Sequence, residues 1–155
     1  NIVVNGNKHL LSCGILNLVS NSIAFASDEK VKISIGLKED GNRIVFTYSD
    51  NSKGIKDEYL PHIFKPYFSK DPFADGESDP SMGLGLTITK AAFEQAGGRI
   101  MLASEFGKGV KYTISIPQKD HRGHVLKSSA TDFLLDRYSP LFVQLCDSCI
   151  LPDLK

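Results

Sequence analysis

The amino-acid sequence predicts an α+β fold, a two-layer α/β sandwich in which helices cover one face of a mixed, mostly antiparallel sheet. Two runs of the chain carry apolar residues at helical spacing. Four strand-like runs form two pairs, and each pair is joined by a short turn that contains glycine. A helix that is apolar on one side must bury that side, so we expect both helices to lie on one sheet face.

The composition and net charge indicate which classes of protein fit this sequence. In a chain of 155 residues, 41% hydrophobic and 23% charged residues are typical of one globular domain with a real core. A formal net charge of +0 and a pI near 7.1 favour neither a nucleic-acid partner nor contact with an acidic membrane. No apolar run is long enough to span a bilayer, and we see no signal peptide or initiator Met. We therefore expect a cytoplasmic fragment of a longer protein.

The first helix is predicted over residues 8–26, after a short edge strand at residues 2–4. Its side chains Asn17 and Asn21 are four positions apart and share one face, with Phe25 one turn further on. Taken alone, two Asn residues are better explained by a solvated helix face, because Asn is mostly exposed. The apolar residues that set the helical spacing are Leu11, Ile15, Leu18, Val19 and Ile23.

The first hairpin is predicted from residues 31–37 and 43–48, with a turn at 39–42. The first of these strands alternates as a half-buried strand does. Asp50 falls just beyond the second strand, where its carboxylate could accept a hydrogen bond from a ligand amine. A turn Asp that bonds its own backbone is the simpler alternative.

The middle of the chain combines an aromatic segment, a polar loop and a second helix. Residues 60–68 are rich in aromatic rings that we expect to hold the base of the loop against the core. Residues 69–80 are polar and acidic, and a loop of this length suggests a lid over a ligand. The second helix is predicted from Gly85 to a C-cap at residues 97–98.

Two glycine turns are placed to hold one nucleotide at its two ends. Gly83 and Gly85 open the second helix, where close backbone approach, unpaired N–H groups and the helix dipole suit phosphate. Residues 50–55 form another glycine turn, led by a carboxylate. The second hairpin, residues 99–104 and 110–116, then ends at Pro117.

The predicted domain covers residues 1–117, and residues 118–155 are a linker and C-terminal extension of unknown role. The pairs His121 with His124, and Cys146 with Cys149, could in principle bind metal. A solvated tail and ordinary reduced thiols, Cys13 included, are the simpler interpretation, because a structural zinc site needs a second pair.

Four motifs, in chain order, resemble those of the catalytic ATP-binding domain of sensor histidine kinases. This domain has the Bergerat fold of the GHKL ATPase superfamily, shared with Hsp90, MutL and type II topoisomerases. The resemblance extends from about residue 5 to residue 117. Residues 17–22 are similar to the N box, 50–55 to the G1 box, 63–68 to the F box and 83–86 to the G2 box.

The resemblance implies a role for each matching residue. Asn21 would coordinate Mg²⁺ through its side-chain oxygen, and Asn17 would line the same phosphate region. Asp50 would accept a hydrogen bond from the adenine 6-amino group. The remaining nucleotide-binding positions implied by the motifs are Phe25 beside the nucleotide, Ser52, Gly54 and Ile55 under the base, and Gly83, Leu84, Gly85 and Leu86 at the phosphates.

Three positions depart from the family pattern. Ala24 stands where a phosphate-contacting Lys or Arg is usual, and Ser52 and Ser81 stand where glycines are usual. A non-Gly residue forced into a left-handed turn would cost about 1 kcal/mol or more. We therefore expect weak to moderate ATP affinity, with Lys70 at the base of the loop as a substitute cation.

The activity implied by the resemblance is transfer of the ATP γ-phosphoryl group to a histidine on a dimerisation and phosphoacceptor domain. Neither His9 nor His62 matches the acceptor pattern, so we expect no catalytic residue and no autophosphorylation in this chain alone. The partners would be that acceptor domain and a response regulator. Two alternatives remain open: a degenerate ATP-binding module that acts through protein contacts, and an anti-sigma-factor-type serine kinase.

Overall fold

The computed structural model describes residues 4, 6–27, 30–68 and 83–118. The described elements are α1 (Lys8–Ala24), β1 (Ile33–Asp40), β2 (Arg43–Asp50), α2 (Gly85–Gln95), β3 (Arg99–Glu105) and β4 (Gly109–Pro117). Two helices and two hairpins in this order confirm the predicted α+β fold.

The four strands form one sheet in the order β1-β2-β4-β3, and all three pairings are antiparallel. The register places Tyr48 of β2 directly opposite Tyr112 of β4, so both rings point to the same face of the sheet. Both tyrosines are buried. The other members of this core cluster are Leu18, Phe93, Val110, Ile114 and Ile116.

A side chain caps the start of α1, and glycine ends α2 where the sequence predicts its C-cap. The Asn7 side chain accepts hydrogen bonds from the backbone N–H groups of His9 and Leu10 and so caps the start of α1. At the end of α2, Gly97 adopts a φ of +73°. The N–H of Gly98 then reaches back to the Phe93 carbonyl at 2.8 Å, which satisfies an otherwise orphan helix carbonyl.

The two helices lie against each other with almost no space between them. A Cβ atom added at Gly14 of α1 would stand 3.3 Å from the Phe93 ring of α2. The buried Thr89 hydroxyl of α2 lies within hydrogen-bond distance of two carbonyls, that of Gly14 in α1 at 3.2 Å and that of Gly85 in its own helix at 2.9 Å. This close approach fixes the N-box helix relative to the helix that follows the G2 motif.

Strand β1 differs from its prediction. It begins and ends later than residues 31–37, and its apolar side chains are not half-buried, because Ile35 and Leu37 are 58% and 52% exposed. The register puts them on the core face, opposite Tyr48 and Phe46. In the described part of the chain, however, β1 makes extensive contact only with β2, so no helix covers this edge.

Several other expectations concern chain ends and loops. Asp50 is the last residue of β2 rather than the residue just beyond it. Val4 forms an isolated bridge with Gln118, while the remainder of the predicted edge strand lies outside the described residues. The predicted lid and the extension after residue 118, including its His and Cys pairs, also lie outside them.

Two features of the described residues bear on membranes and metals. Neither α1 nor α2 combines the length and apolar character needed to cross a bilayer. Within the same residues there is no group of three or more His, Cys, Asp and Glu side chains that could hold a metal ion. Cys13 is a half-buried free thiol.

Candidate nucleotide-binding site

The Asp50 carboxylate is held from three directions at the end of β2. Its Oδ1 accepts hydrogen bonds from the backbone N–H groups of Ser52 at 3.0 Å and Val110 at 3.2 Å. Its Oδ2 accepts one from the Ser22 hydroxyl of α1 at 2.5 Å. The bond to Ser52 is the local turn bond that the simpler interpretation predicts, but the other two come from distant parts of the chain. A helix and the neighbouring strand therefore fix the orientation of this carboxylate.

The turn after Asp50 packs against the turn between β3 and β4. Gly54 has a φ of +70°, and a Cβ atom there would run into the Glu105 carbonyl. The N–H of Gly107 donates to the Lys53 carbonyl at 2.8 Å, and the Ser104 hydroxyl accepts from the Ile55 N–H at 2.8 Å. The two turns contact each other through their backbones, so a side chain at position 54 would not fit. This explains why the sequence has glycine there.

Ser52 fits this turn without backbone strain. Tyr67 is the one non-glycine residue with positive φ among the described residues, so Ser52 lies outside the left-handed region. Its side chain is buried, and it forms an isolated bridge with Ala26. The next N–H, that of Lys53, donates to the Phe25 carbonyl at 2.9 Å. The expected cost of a left-handed serine therefore does not arise at position 52; Ser81 lies outside the described residues.

The G2 turn is a second place where backbone contacts backbone. Gly83 has a φ of +61°, and a Cβ atom there would lie within 3 Å of the Phe68 backbone. Helix α2 starts two residues later, and its N-cap Leu84 offers no side-chain hydrogen bond to the first turn. N–H groups at an uncapped helix start are donors that suit an anion.

Asn17 joins the first helix to this helix start. Its side-chain nitrogen donates to the Gly85 carbonyl at 3.0 Å, and the residue is buried. Because the two residues are far apart in sequence, the bond is evidence that the N box and the G2 motif share one site. Asn21 and Phe25 follow on α1, both half-buried, with Phe25 at the C-cap of the helix.

The F-box segment is attached to α2. The Thr87 hydroxyl donates to the Phe64 carbonyl at 3.2 Å, and the Lys90 ammonium lies 5.9 Å from the centroid of the Phe64 ring. The Phe68 ring lies 6.0 Å from that of Tyr59 and 5.9 Å from that of His62. The aromatic segment thus contacts α2, and its rings contact one another; that it holds the base of the loop stays a prediction, because residues 69–80 lie outside the described residues.

Two polar residues at the site escaped the sequence analysis. The Tyr48 hydroxyl lies 2.6 Å from the Ser22 hydroxyl, which itself reaches Asp50. Burial, together with the nearby Asp50 charge, raises the pKa of Tyr48 to about 12. Burial likewise raises the pKa of Tyr112. The positions of these two residues in the sequence could have indicated their role. Tyr48 lies two residues before Asp50 on the same face of β2, and Ser22 follows Asn21 on α1.

The geometry brings most of the predicted site residues together. Asn17 contacts Gly85, Ser22 contacts Asp50, and the Phe25 carbonyl binds the turn after Asp50. Lys70, the predicted substitute cation, lies outside the described residues. The described parts of the four motifs thus belong to one continuous region made of α1, the end of β2 and the start of α2.

This arrangement of an α+β sandwich with two glycine turns and a half-buried carboxylate held by hydrogen bonds is that of an ATP-binding domain. Residues 6–120 match the family described as histidine kinase-, DNA gyrase B-, and HSP90-like ATPase, and the chain belongs to this family. The fold and the resemblance stated from the motifs are thereby confirmed.

Known relatives refine the comparison. The chain is 33% identical over 119 residues to the hybrid signal transduction histidine kinase B of Dictyostelium discoideum, covering 75% of this chain and 6% of that protein. It is 40% identical over 104 residues to the sensor histidine kinase ZraS of Salmonella typhimurium, covering 66% and 21%. The nucleotide-free catalytic domain of histidine kinase ThkA matches with a TM-score of 0.59 at 27% identity, covering 74% of this chain and 70% of that one.

These similarities are to the catalytic parts of sensor histidine kinases. The chain is an ATP-binding catalytic domain of the histidine kinase type. It spans about a fifth or less of the length of the two curated relatives.

Proposed function

We propose that this chain binds ATP together with Mg²⁺ and supplies the γ-phosphoryl group to a histidine on a separate phosphoacceptor domain. The observation that carries the proposal is the bond from Asn17 to the Gly85 carbonyl, at 3.0 Å. It connects the helix that bears the amide side chains to the helix start that offers N–H groups. The fixed Asp50 carboxylate lies toward the other end of the same helix, beside Ser22.

In this proposal Asp50 selects adenine by accepting a hydrogen bond from the 6-amino group, while Gly54 and Ile55 form the surface under the base. Ser52 and Phe25 complete that end of the site. At the other end the phosphates accept hydrogen bonds from backbone N–H groups of residues 83–86. Lys70 is proposed as an additional cation for the phosphates.

The described residues fit a Mg²⁺ ion that is carried mainly by the nucleotide. Mg²⁺ prefers oxygen ligands, keeps several waters and is commonly bound through few protein groups plus substrate phosphates. The Asn21 amide oxygen, one turn after Asn17 on α1, is the proposed protein ligand. When bound, the ion would neutralise phosphate charge during transfer.

The protein contribution to the reaction is positioning and the stabilisation of charge by fixed donors. His62 is not proposed as the acceptor, because it lacks the acceptor pattern and lies inside the F-box segment beside Phe68. The partners we propose are the phosphoacceptor and dimerisation domain of the same kinase and a downstream response regulator. We propose a cytoplasmic location, and no contact of this domain with nucleic acid or membrane. We also propose that the domain ends near residue 117.

A degenerate module that acts only through protein contacts is the second candidate. Ala24, exposed at the end of α1, favours it, because no cation stands at that position. Ser52 no longer does, since it fits the turn without left-handed strain. An anti-sigma-factor-type serine kinase would share the nucleotide site, and phosphotransfer to a histidine-containing acceptor separates the two activities.

Calorimetric titration with ATP, with and without Mg²⁺, tests the proposal. We expect Mg²⁺-dependent binding that falls by about 10- to 100-fold in the Asp50→Asn variant, because a bond between the ligand amine and a charged acceptor is lost. Asn keeps the size of the side chain. The matched control is Asp40→Asn at the exposed end of β1, which should bind ATP as the unmodified chain does. An absence of binding at millimolar ATP would remove the kinase interpretation in favour of the degenerate module.

A further inference from the structure

Three polar side chains form a continuous hydrogen-bonded row at the base-binding end of the site. The Tyr48 hydroxyl lies 2.6 Å from the Ser22 hydroxyl, and the Ser22 hydroxyl lies 2.5 Å from Oδ2 of Asp50. Tyr48 is 0% and Ser22 1% exposed, so water does not compete for the bond between them, whereas Asp50 is half-buried. Neither residue belongs to the set that the motifs assign to the nucleotide.

The number of available protons determines which group donates in each hydrogen bond of this row. Ser22 has one hydroxyl proton and three candidate acceptors, the Leu18 carbonyl at 3.0 Å, the Tyr48 hydroxyl at 2.6 Å and the Asp50 carboxylate at 2.5 Å. A bond to an ionised acceptor is shorter and stronger than one to a neutral group, so the proton points to Asp50. Tyr48 must then donate to Ser22, because a carboxylate offers no proton that could reverse the row.

The number of acceptor positions determines what Asp50 can still bind. A carboxylate has about four lone-pair positions. Two on Oδ1 accept the N–H groups of Ser52 and Val110, and one on Oδ2 accepts Ser22. About one position, on Oδ2, is left over for a ligand.

We infer that Ser22, supported by Tyr48, is a positioning residue that sets base specificity by limiting Asp50 to one open acceptor on Oδ2. This inference rests on the proposed role of Asp50 in adenine binding. An exocyclic amine satisfies the open acceptor. A base that presents a carbonyl oxygen at the same place sets acceptor against acceptor and is rejected, because the carboxylate oxygen that the base covers then has no donor.

The test compares the affinities of the 155-residue chain for ATP and for inosine triphosphate, which carries a carbonyl oxygen in place of the 6-amine. In Ser22→Ala we expect ATP affinity to fall roughly tenfold, the size associated with loss of a bond to a charged group. We expect the ratio of ATP to inosine triphosphate affinity to fall about fivefold or more, because the carboxylate gains freedom to turn. Tyr48→Phe keeps the ring and removes the hydroxyl that donates to Ser22, so its ratio should fall by about twofold to threefold.

Ser115→Ala is the matched control. The Ser115 hydroxyl accepts a bond from the Arg43 guanidinium at 2.5 Å, so it too has a charged partner. It pairs with Val45, well along β2 from Asp50. This variant should lose stability while keeping the affinity ratio, which separates a general structural effect from a positioning effect.

The outcomes are distinguishable. A ratio that falls in Ser22→Ala, falls less in Tyr48→Phe and stays constant in Ser115→Ala supports the inference. Folded Ser22→Ala and Tyr48→Phe variants, checked by circular dichroism, that keep the ratio of the unmodified chain would overturn it while leaving the nucleotide site intact. If the unmodified chain binds neither nucleotide, the proposed function fails, and the inference that rests on it fails with it.

Discussion

The two ends of the candidate site are built by different means. At the base end, Asp50 is held by a hydroxyl and two backbone N–H groups from three different parts of the chain. At the phosphate end, the Asn17 side chain donates to the Gly85 carbonyl beside an uncapped helix start. A base is recognised by the fixed direction of a few bonds, whereas phosphates need only many donors of the right charge. We therefore expect selectivity to depend on side chains and phosphate affinity on backbone and metal.

Gly54→Ala should produce the largest effect and tests whether the base end depends on backbone contact. The new methyl group would meet the Glu105 carbonyl at a φ of +70°, so either the turn or the β3–β4 connection must move. We expect a loss of about 3 kcal/mol or more of unfolding free energy in urea titrations, together with loss of ATP binding.

Gly41→Ala is the control for that variant. Gly41 has a similar φ of +60°, but nothing lies within 4 Å of its added Cβ atom. Only the left-handed backbone cost, about 1 kcal/mol, should remain. Equal losses in the two variants would show that contact with the β3–β4 turn is unimportant.

Gly83→Ala tests whether the phosphate end also depends on contact between backbones. A Cβ atom there would meet the backbone of Phe68, at a φ of +61°. We expect ATP affinity to fall at least tenfold, while the loss of stability is smaller than in Gly54→Ala, because residue 83 is only half-buried. Thermal unfolding and calorimetry on the same sample would separate the two effects. A large stability loss with unchanged affinity would contradict the proposed role of this turn.

Asn21→Ala tests whether the Asn21 side chain binds Mg²⁺. If the amide oxygen binds Mg²⁺, the variant should lose the difference between ATP affinities with and without Mg²⁺, about a tenfold change. Asn21→Asp supplies a carboxylate oxygen at the same place and should keep a Mg²⁺-dependent difference. Binding in the Ala variant that responds fully to Mg²⁺ would assign the ion to the nucleotide alone.

Ala24→Lys at the phosphate end and Ser52→Gly at the base end should have the smallest effects on ATP affinity. Lysine at position 24, which is exposed on the last turn of α1, should raise ATP affinity by about threefold at low salt, and salt should screen the gain. Glycine at position 52 should change affinity less than twofold, because Ser52 is not strained. A large gain from Ser52→Gly would mean that the serine side chain obstructs the base.

Local sequence patterns predicted the helices, the hairpins and the two glycine turns. The C-cap at residues 97–98, for example, needs only a residue that tolerates positive φ directly after a helix, and glycine indicates it. The burial of β1 was predicted wrongly for the opposite reason. Alternation of apolar and polar residues along a strand predicts which side chains share a face. It does not predict whether a helix covers that face, as the exposed Ile35 shows.

The sequence by itself determined the kind of site, because residue types at motif spacing specify which donors, acceptors and turns are present. Only the tertiary structure decided how they combine. The bonds from Ser22 to Asp50 and from Asn17 to Gly85 join residues distant in the chain. Their existence depends on how α1 packs against α2 and the sheet. Likewise, the freedom of Ser52 from strain is a property of its dihedral angle, which the neighbouring strands set and its residue type does not.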